Sequence, residues 1–174
     1  MTNRRRKGKL FFYNNTVIVR NERYPEYTRT AIFELSTNDE ALDSRNNIYF
    51  STTEPNELHA IGMLGARDQV SSGVATFAGD WVKKGWTAHD LTLGTKVDLR
   101  AKVRDLDKML RGVAPGFRDA ASEEYALVPP GPGAAVPVAL RPDLPAELLP
   151  SSRYVKHQRG ASRTDPPTLG ALGD

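Results

Sequence analysis

A chain of 174 residues with a net charge of +3 and 39% hydrophobic residues has room for one modest core and appended arms. It contains no cysteine, which excludes disulfides and thiolate metal sites, and no stretch approaches the ~20 apolar residues of a membrane span. The apolar run LFFY after the basic start is cut by Asn14 and Asn15, too early for a signal peptide, so the expected location is the cytoplasm or a virion, with no membrane contact.

Residues 1–8 read as a basic N-terminal arm. Arg4, Arg5, Arg6, Lys7 and the following Lys9 concentrate positive charge there, as Arg153, Lys156, Arg159 and Arg163 do more loosely near the other end. Such arms suit a polyanion, DNA or RNA, contacted through phosphates; they also suit a merely solubilising terminus.

The globular part is expected over residues 9–127. KLFFYNNTVIVR (9–20) predicts a β-hairpin closed by an Asn-Asn turn, with Phe12 opposite Val17 and Phe11 opposite Ile18. After a polar loop around Pro25, TAIFELS (30–36) predicts a strand. Thr37-Asn-Asp-Glu40 has the form of a capping box and predicts a short helix through Leu42. NNIYFSTT (46–53) predicts another strand, and Pro55 a helical turn carrying Leu58, Ile61 and Leu64. VSSGVATFA (70–78) predicts a strand with a glycine irregularity.

GDWVKKGWTAHD (79–90) holds both tryptophans of the chain. Strands over 74–82 and 86–93 would make it an antiparallel hairpin, with Lys83-Lys84-Gly85 as its exposed tip and Gly85 in the left-handed region. Trp81 and Val82 would point to opposite faces. One tryptophan would pack on the core and the other toward a second surface, offering a protein interface, or a nucleic-acid platform together with Lys83 and Lys84.

The sequence TKVDLRAKVRDLDKMLRG predicts a long amphipathic helix over 95–112. Thr95 would cap it, Leu99, Val103, Leu106, Leu110 and Val113 would form one apolar stripe, and Gly112 and Pro115 would end it. That stripe would lie on a sheet or against a partner subunit. The expected fold class is thus α+β: a small antiparallel β-rich core of hairpins with one long helix. No internal repeat is apparent.

Residues 128–174 carry nine of the twelve prolines and predict an extended Pro/Gly-rich tail with few contacts to its own core. A regular strand or helix is not expected there before a possible turn at Ala146–Leu149. Its anchors for a partner would include Leu144 and Leu148.

Chemistry finds little to stand on. His89-Asp90 would sit on opposite faces of a strand, and His59 and His157 lack metal-ligand spacing. Ser71-Ser72-Gly73 lacks a nucleophile elbow, and Gly62/Gly65 and Gly94-Thr-Lys96 match neither phosphate-binding pattern. Catalytic residues, metal and cofactor are therefore all expected to be none. The expectation is a non-enzymatic structural subunit of a large assembly, phage-like in type, contacting copies of itself or other subunits through its arms. The alternative is a nucleic-acid-binding module using the basic arm.

Overall fold

In the computed structural model, residues 7–20, 29–35, 37, 39–52, 60–65, 73–89, 102–104, 108–129, 131, 147, 151–155, 159–162 and 169–170 are described. The chain winds as a parallel β-solenoid with three sheets. Its first coil is β1 (Gly8–Tyr13), β2 (Thr16–Val19) and β3 (Arg29–Glu34), its second β4 (Glu40–Arg45), β5 (Ile48–Ser51) and β6 (Ala60–Gly65). The third is β7 (Val74–Ala78), β8 (Trp81–Lys83) and β9 (Thr87–His89), and a fourth begins with β10 (Lys102–Arg104) and β11 (Leu110–Gly112). Stacking these coils gives sheet A in the order β1-β4-β7-β10, sheet B in the order β2-β5-β8-β11, and sheet C in the order β3-β6-β9.

Every pairing within these sheets is parallel. A parallel partner needs a crossover of a dozen or more residues. Here each crossover is itself made of the strands of the other two sheets. The α+β expectation is therefore wrong, and so are both hairpins. Asn14-Asn15 and Lys83-Lys84-Gly85 do turn the chain, with Asn14 at φ 54° and Gly85 at φ 96°, but they turn it from one sheet into the next. Phe12 pairs with Ser44 and Val17 with Tyr49, one coil on, instead of with each other. The absence of a repeat is corrected by the same finding.

The helix over 95–112 is also overturned where it is described: residues 102–104 and 110–112 are strands. Tertiary pairing overrides the 3.6-residue stripe, because the backbone groups of β7 and β8 need partners on their far side and β10 and β11 supply them. Leu99 and Leu106 lie outside the described residues. Near Thr37 half of the capping box forms, with the Thr37 N–H donating to the Glu40 carboxylate at 3.0 Å, but it closes a turn into β4 and no helix follows. The helical turn after Pro55 is replaced at 60–65 by β6, and the rest of it lies outside the described residues.

The interior between the sheets is apolar: Leu35, Leu42, Tyr49, Ala75, Phe77, Val82, Trp86 and Met109 pack together, with Phe12, Phe33, Val17 and Val19 at the margin. A second cluster lies on the outer face of sheet B. Ile48, Phe50 and Trp81 point outward there and are covered by Leu127 and Leu169, with Phe117 and Ala120 alongside. Phe117 and Leu127 belong to the antiparallel pair β12 (Phe117–Asp119) and β13 (Glu124–Leu127), which Arg20 ties to the end of β2 through Glu123 at 2.7 Å and Tyr125 at 3.2 Å.

The tail departs from its expectation twice. Serine, arginine and tyrosine residues between its prolines form an antiparallel pair, β14 (Ser152–Val155) with β15 (Arg159–Ser162). Its end returns to the core, where Leu169 is fully buried and the Gly170 N–H donates to the Asn46 carbonyl at 2.8 Å.

Candidate functional site

The corner between sheets A and B carries the most concentrated polar structure in the described residues. Asn14, Asn46 and Gly79 stack there with φ of 54°, 56° and 68°, values that Asn and Gly tolerate best. The next residue in each coil points a side chain into the corner, giving a column Asn15, Asn47, Asp80. The Asn15 and Asn47 backbone N–H groups donate to the side-chain oxygens of Asn47 and Asp80 in the coil below, both at 2.8 Å. Asn15 and Asn47 side-chain amides donate to the same oxygens at 3.1 and 2.8 Å. The Asn47 amide also reaches the Phe12 carbonyl and the Ser44 hydroxyl.

Ser44 joins this column to the core by donating to Asp80 at 3.0 Å and sharing a 2.6 Å hydrogen bond with the Tyr49 hydroxyl. Burial pushes the Asp80 carboxyl up to about 7, against the opposing pull of its Asn47, Ser44 and Ala78 donors. The Tyr49 hydroxyl is raised well above its ordinary value by burial and by the neighbouring Asp80. A carboxyl near 7 invites an acid–base reading, but Asp80, Ser44, Asn47 and Tyr49 are all sealed from solvent and no substrate reaches them. The column instead satisfies backbone and side-chain donors that a buried corner would otherwise orphan.

The column has two unlike ends. At the first coil the Asn15 side-chain oxygen accepts no hydrogen bond among the described residues, although the equivalent oxygens of Asn47 and Asp80 each accept backbone and side-chain N–H groups from the coil above. In the same coil Leu10 is 52% exposed, while its row partner Leu42, with Leu10 on one side and Ala75 on the other, is fully buried. At the other end Met109 takes the column position and closes it with an apolar side chain. Arg111 lies in the inward row of Val82 and Tyr49, stays exposed, and donates to the Trp86 carbonyl at 3.0 Å. An inward charge at an open sheet edge discourages further strand addition.

The outer face of sheet A is the charged one. Asp43 is buried between Lys9 at 3.0 Å and Arg45 at 2.8 Å, and the Lys9 ammonium lies 5.1 Å from the Phe11 ring centroid. Tyr13 closes the row, its hydroxyl raised by burial and by Asp43 and lowered less by Arg45.

The residues singled out from the sequence are scattered by this fold. Arg4, Arg5 and Arg6 lie outside the described residues, as do Leu144, Leu148, His59 and His157. Lys7 lies 3.6 Å from Asp39, and Lys9 is engaged by Asp43. Lys83 is not at an exposed tip: it is 3% exposed, donates to the Ser51 carbonyl at 2.9 Å and lies 5.1 Å from the Phe50 ring centroid. Lys84 is exposed. Trp81 and Trp86 do pack on two different surfaces, but both surfaces are buried, so neither ring is presented to a partner. Val103 is in β10 and Leu110, partly exposed, in β11; they share no helical stripe. His89 belongs to β9. Among the described residues no group of three His, Cys, Asp or Glu side chains could hold a metal ion.

The corner column was missed, although a signal for it stands in the sequence: Asn14-Asn15, Asn46-Asn47 and Gly79-Asp80, each followed by a β-rich run, recur at separations of 32 and 33 residues. No protein-family model, curated protein or solved structure matches the chain.

Proposed function

We propose that this chain is a non-enzymatic structural subunit of a large assembly, of the virion type, and that it joins its neighbours through the first coil of the solenoid. The observation that carries this reading is the asymmetry of the two ends. The far end is stopped by Met109 and the inward Arg111, whereas in the first coil β1 and β2 are the outermost strands of their sheets among the described residues, Leu10 is exposed, and the Asn15 side-chain oxygen accepts no hydrogen bond from a described residue. An open parallel edge is a template for another chain unless it is covered. Light scattering on the full-length protein over a wide concentration range, with recovery of bound partners from its source, tests it. The expected result is a mass above the monomer or a stoichiometric partner, lost in Leu10→Arg without a lower melting temperature. A strict monomer that recovers no partner overturns it.

A second reading, contact with nucleic acid, is favoured by the register of sheet A. It sets Phe11 and the exposed Arg104 in one outward row, with Lys9 in the outward row beside it. Each neutralised phosphate contributes ~0.7–0.9 to the slope of log affinity against log salt. Replacing Arg4, Arg5 and Arg6 with Ala should flatten that slope by roughly two to three units; an unchanged slope overturns it.

A further inference from the structure

The outer face of sheet B holds residues that are remote in sequence. Leu169 is fully buried among Ile48, Phe50, Trp81 and Leu127, although residues 128–168 separate it from the β12–β13 pair that helps to form its seat. Gly170 follows with φ 74°, where an L side chain is strained. A methyl group at Gly170 would also press on the Thr16 hydroxyl and come within 3.0 Å of the Ile48 Cδ1. The Gly170 N–H donates to the Asn46 carbonyl at 2.8 Å. At these two positions the seat therefore selects a branched apolar side chain, then a glycine held by a backbone hydrogen bond.

None of these contacts depends on which chain the dipeptide belongs to. We propose that this seat on sheet B is a receptor for the Leu169-Gly170 tip, and that in the assembly a neighbouring copy of the chain supplies it. The inference rests on the assembly reading above for the identity of the donor, though not for the recognition itself. The tip is joined to the β12–β13 pair only through a long covalent stretch, and a linkage of that length gives an intramolecular effective concentration of about millimolar at most, which tips of adjacent copies in a dense assembly equal. Exchanging identical elements between copies costs no contact, which makes it a low-cost route to association.

The test uses the full-length chain with its own tip disabled. Leu172-Gly173 repeats the dipeptide three residues on, so both leucines are changed, giving L169D/L172D. The probe is a fluorescent synthetic peptide of residues 163–174. It should bind the variant saturably, bind wild type at least tenfold more weakly because the resident tip competes, and lose at least tenfold in affinity when Gly170 and Gly173 are replaced by Ala. A folded variant that takes up no peptide, or takes up the alanine peptide equally well, overturns the receptor. If L169D/L172D does not fold, L169A/L172A is measured in its place, and the peptide should raise its melting temperature. To identify the donor, affinity-tagged L169D/L172D is mixed with untagged wild type, and the tag should retain wild type in a complex that excess peptide dissolves. Peptide binding without any mixed complex removes the neighbouring copy as donor, while peptide failure in a chain that still assembles removes the receptor and leaves the assembly reading standing.

Discussion

Sheets A and B share a corner and the same succession of coils, yet they face the surroundings differently. In sheet A inward Leu42, Ser44, Ala75 and Phe77 alternate with outward Ala41, Asp43, Val74 and Thr76, so one face meets the core and the other carries charge. In sheet B both faces are apolar or aromatic: Tyr49 and Val82 go in, Ile48, Phe50 and Trp81 go out. A sheet covered on both faces reads as a continuous apolar run, and its outer row is stable only if something covers it. The β12–β13 pair and the Leu169 tip provide that cover, so they belong to the fold. The same coil geometry thus serves a one-sided and a two-sided sheet, and the outward residues decide which.

Substitutions on the two outer rows should separate the sheets sharply. Trp81→Ala opens a cavity between sheet B and its cover and should cost about 3–5 kcal/mol in urea unfolding. A cost below about 1 kcal/mol would show that the cover is not packed on the sheet.

The corner that joins the two sheets should respond to pH. Asp80 holds its proton to about 7 when folded, against 3.8 ordinarily, so the folded state binds that proton more tightly than the unfolded one. Its contribution to stability is therefore full below about pH 4, falls as the pH rises toward 7 and is level above that. Asp80→Asn removes this slope. Between pH 4.5 and 8 the stability of wild type relative to Asp80→Asn should fall by at most about 4 kcal/mol; parallel profiles would place the carboxyl's proton elsewhere.

Leu169→Ala tests the tip's share of the cover. It should cost about 2–4 kcal/mol, within the range for a fully buried leucine. A melting curve identical to wild type would detach the tip from the fold. Phe11→Ala, on the outer row of sheet A, should cost no more than about 1 kcal/mol, mostly its contact with Lys9.

Local pattern made individual strands legible, and little beyond them. The expected strands at 30–36, 46–53 and 70–78 overlap β3, β5 and β7, because period-two alternation is written in neighbouring residues. The partners of those strands are not: a run such as FFYNNTVIV fits a hairpin as well as a corner, and short-range reasoning favours the nearest partner. Choosing between them needs Asn14-Asn15 and Asn46-Asn47 to be compared one coil apart. The coils vary too much elsewhere for the eye to align them, since Asp80 replaces the third asparagine and Met109 ends the series. The stripe from Leu99 to Val113 misled for a related reason. Helical spacing of leucines is decided locally, whereas the demand of β7 and β8 for backbone partners is not visible within eighteen residues. Of the candidate surfaces, the buried places of Trp81, Trp86 and Lys83 were hidden in the same way: Trp81 is covered by residues as remote as Leu127 and Leu169, Trp86 packs with Leu35, Leu42 and Met109 in the interior, and Lys83 is held by Ser51 and Phe50 of the preceding coil.

The corner column also bears on how such a chain can change size. Each step of the column repeats one relation, a side-chain oxygen below receiving the N–H groups of the coil above, and neither step refers to the ends. An in-frame duplication of residues 40–73 would insert another Asn46-Asn47 corner between two existing ones and leave Leu10, Asn15, Met109 and Arg111 untouched. Reach along the axis and the identity of the two termini are thus separately heritable. A lineage could lengthen this rod coil by coil, at ~4.8 Å each, while keeping whatever its ends engage.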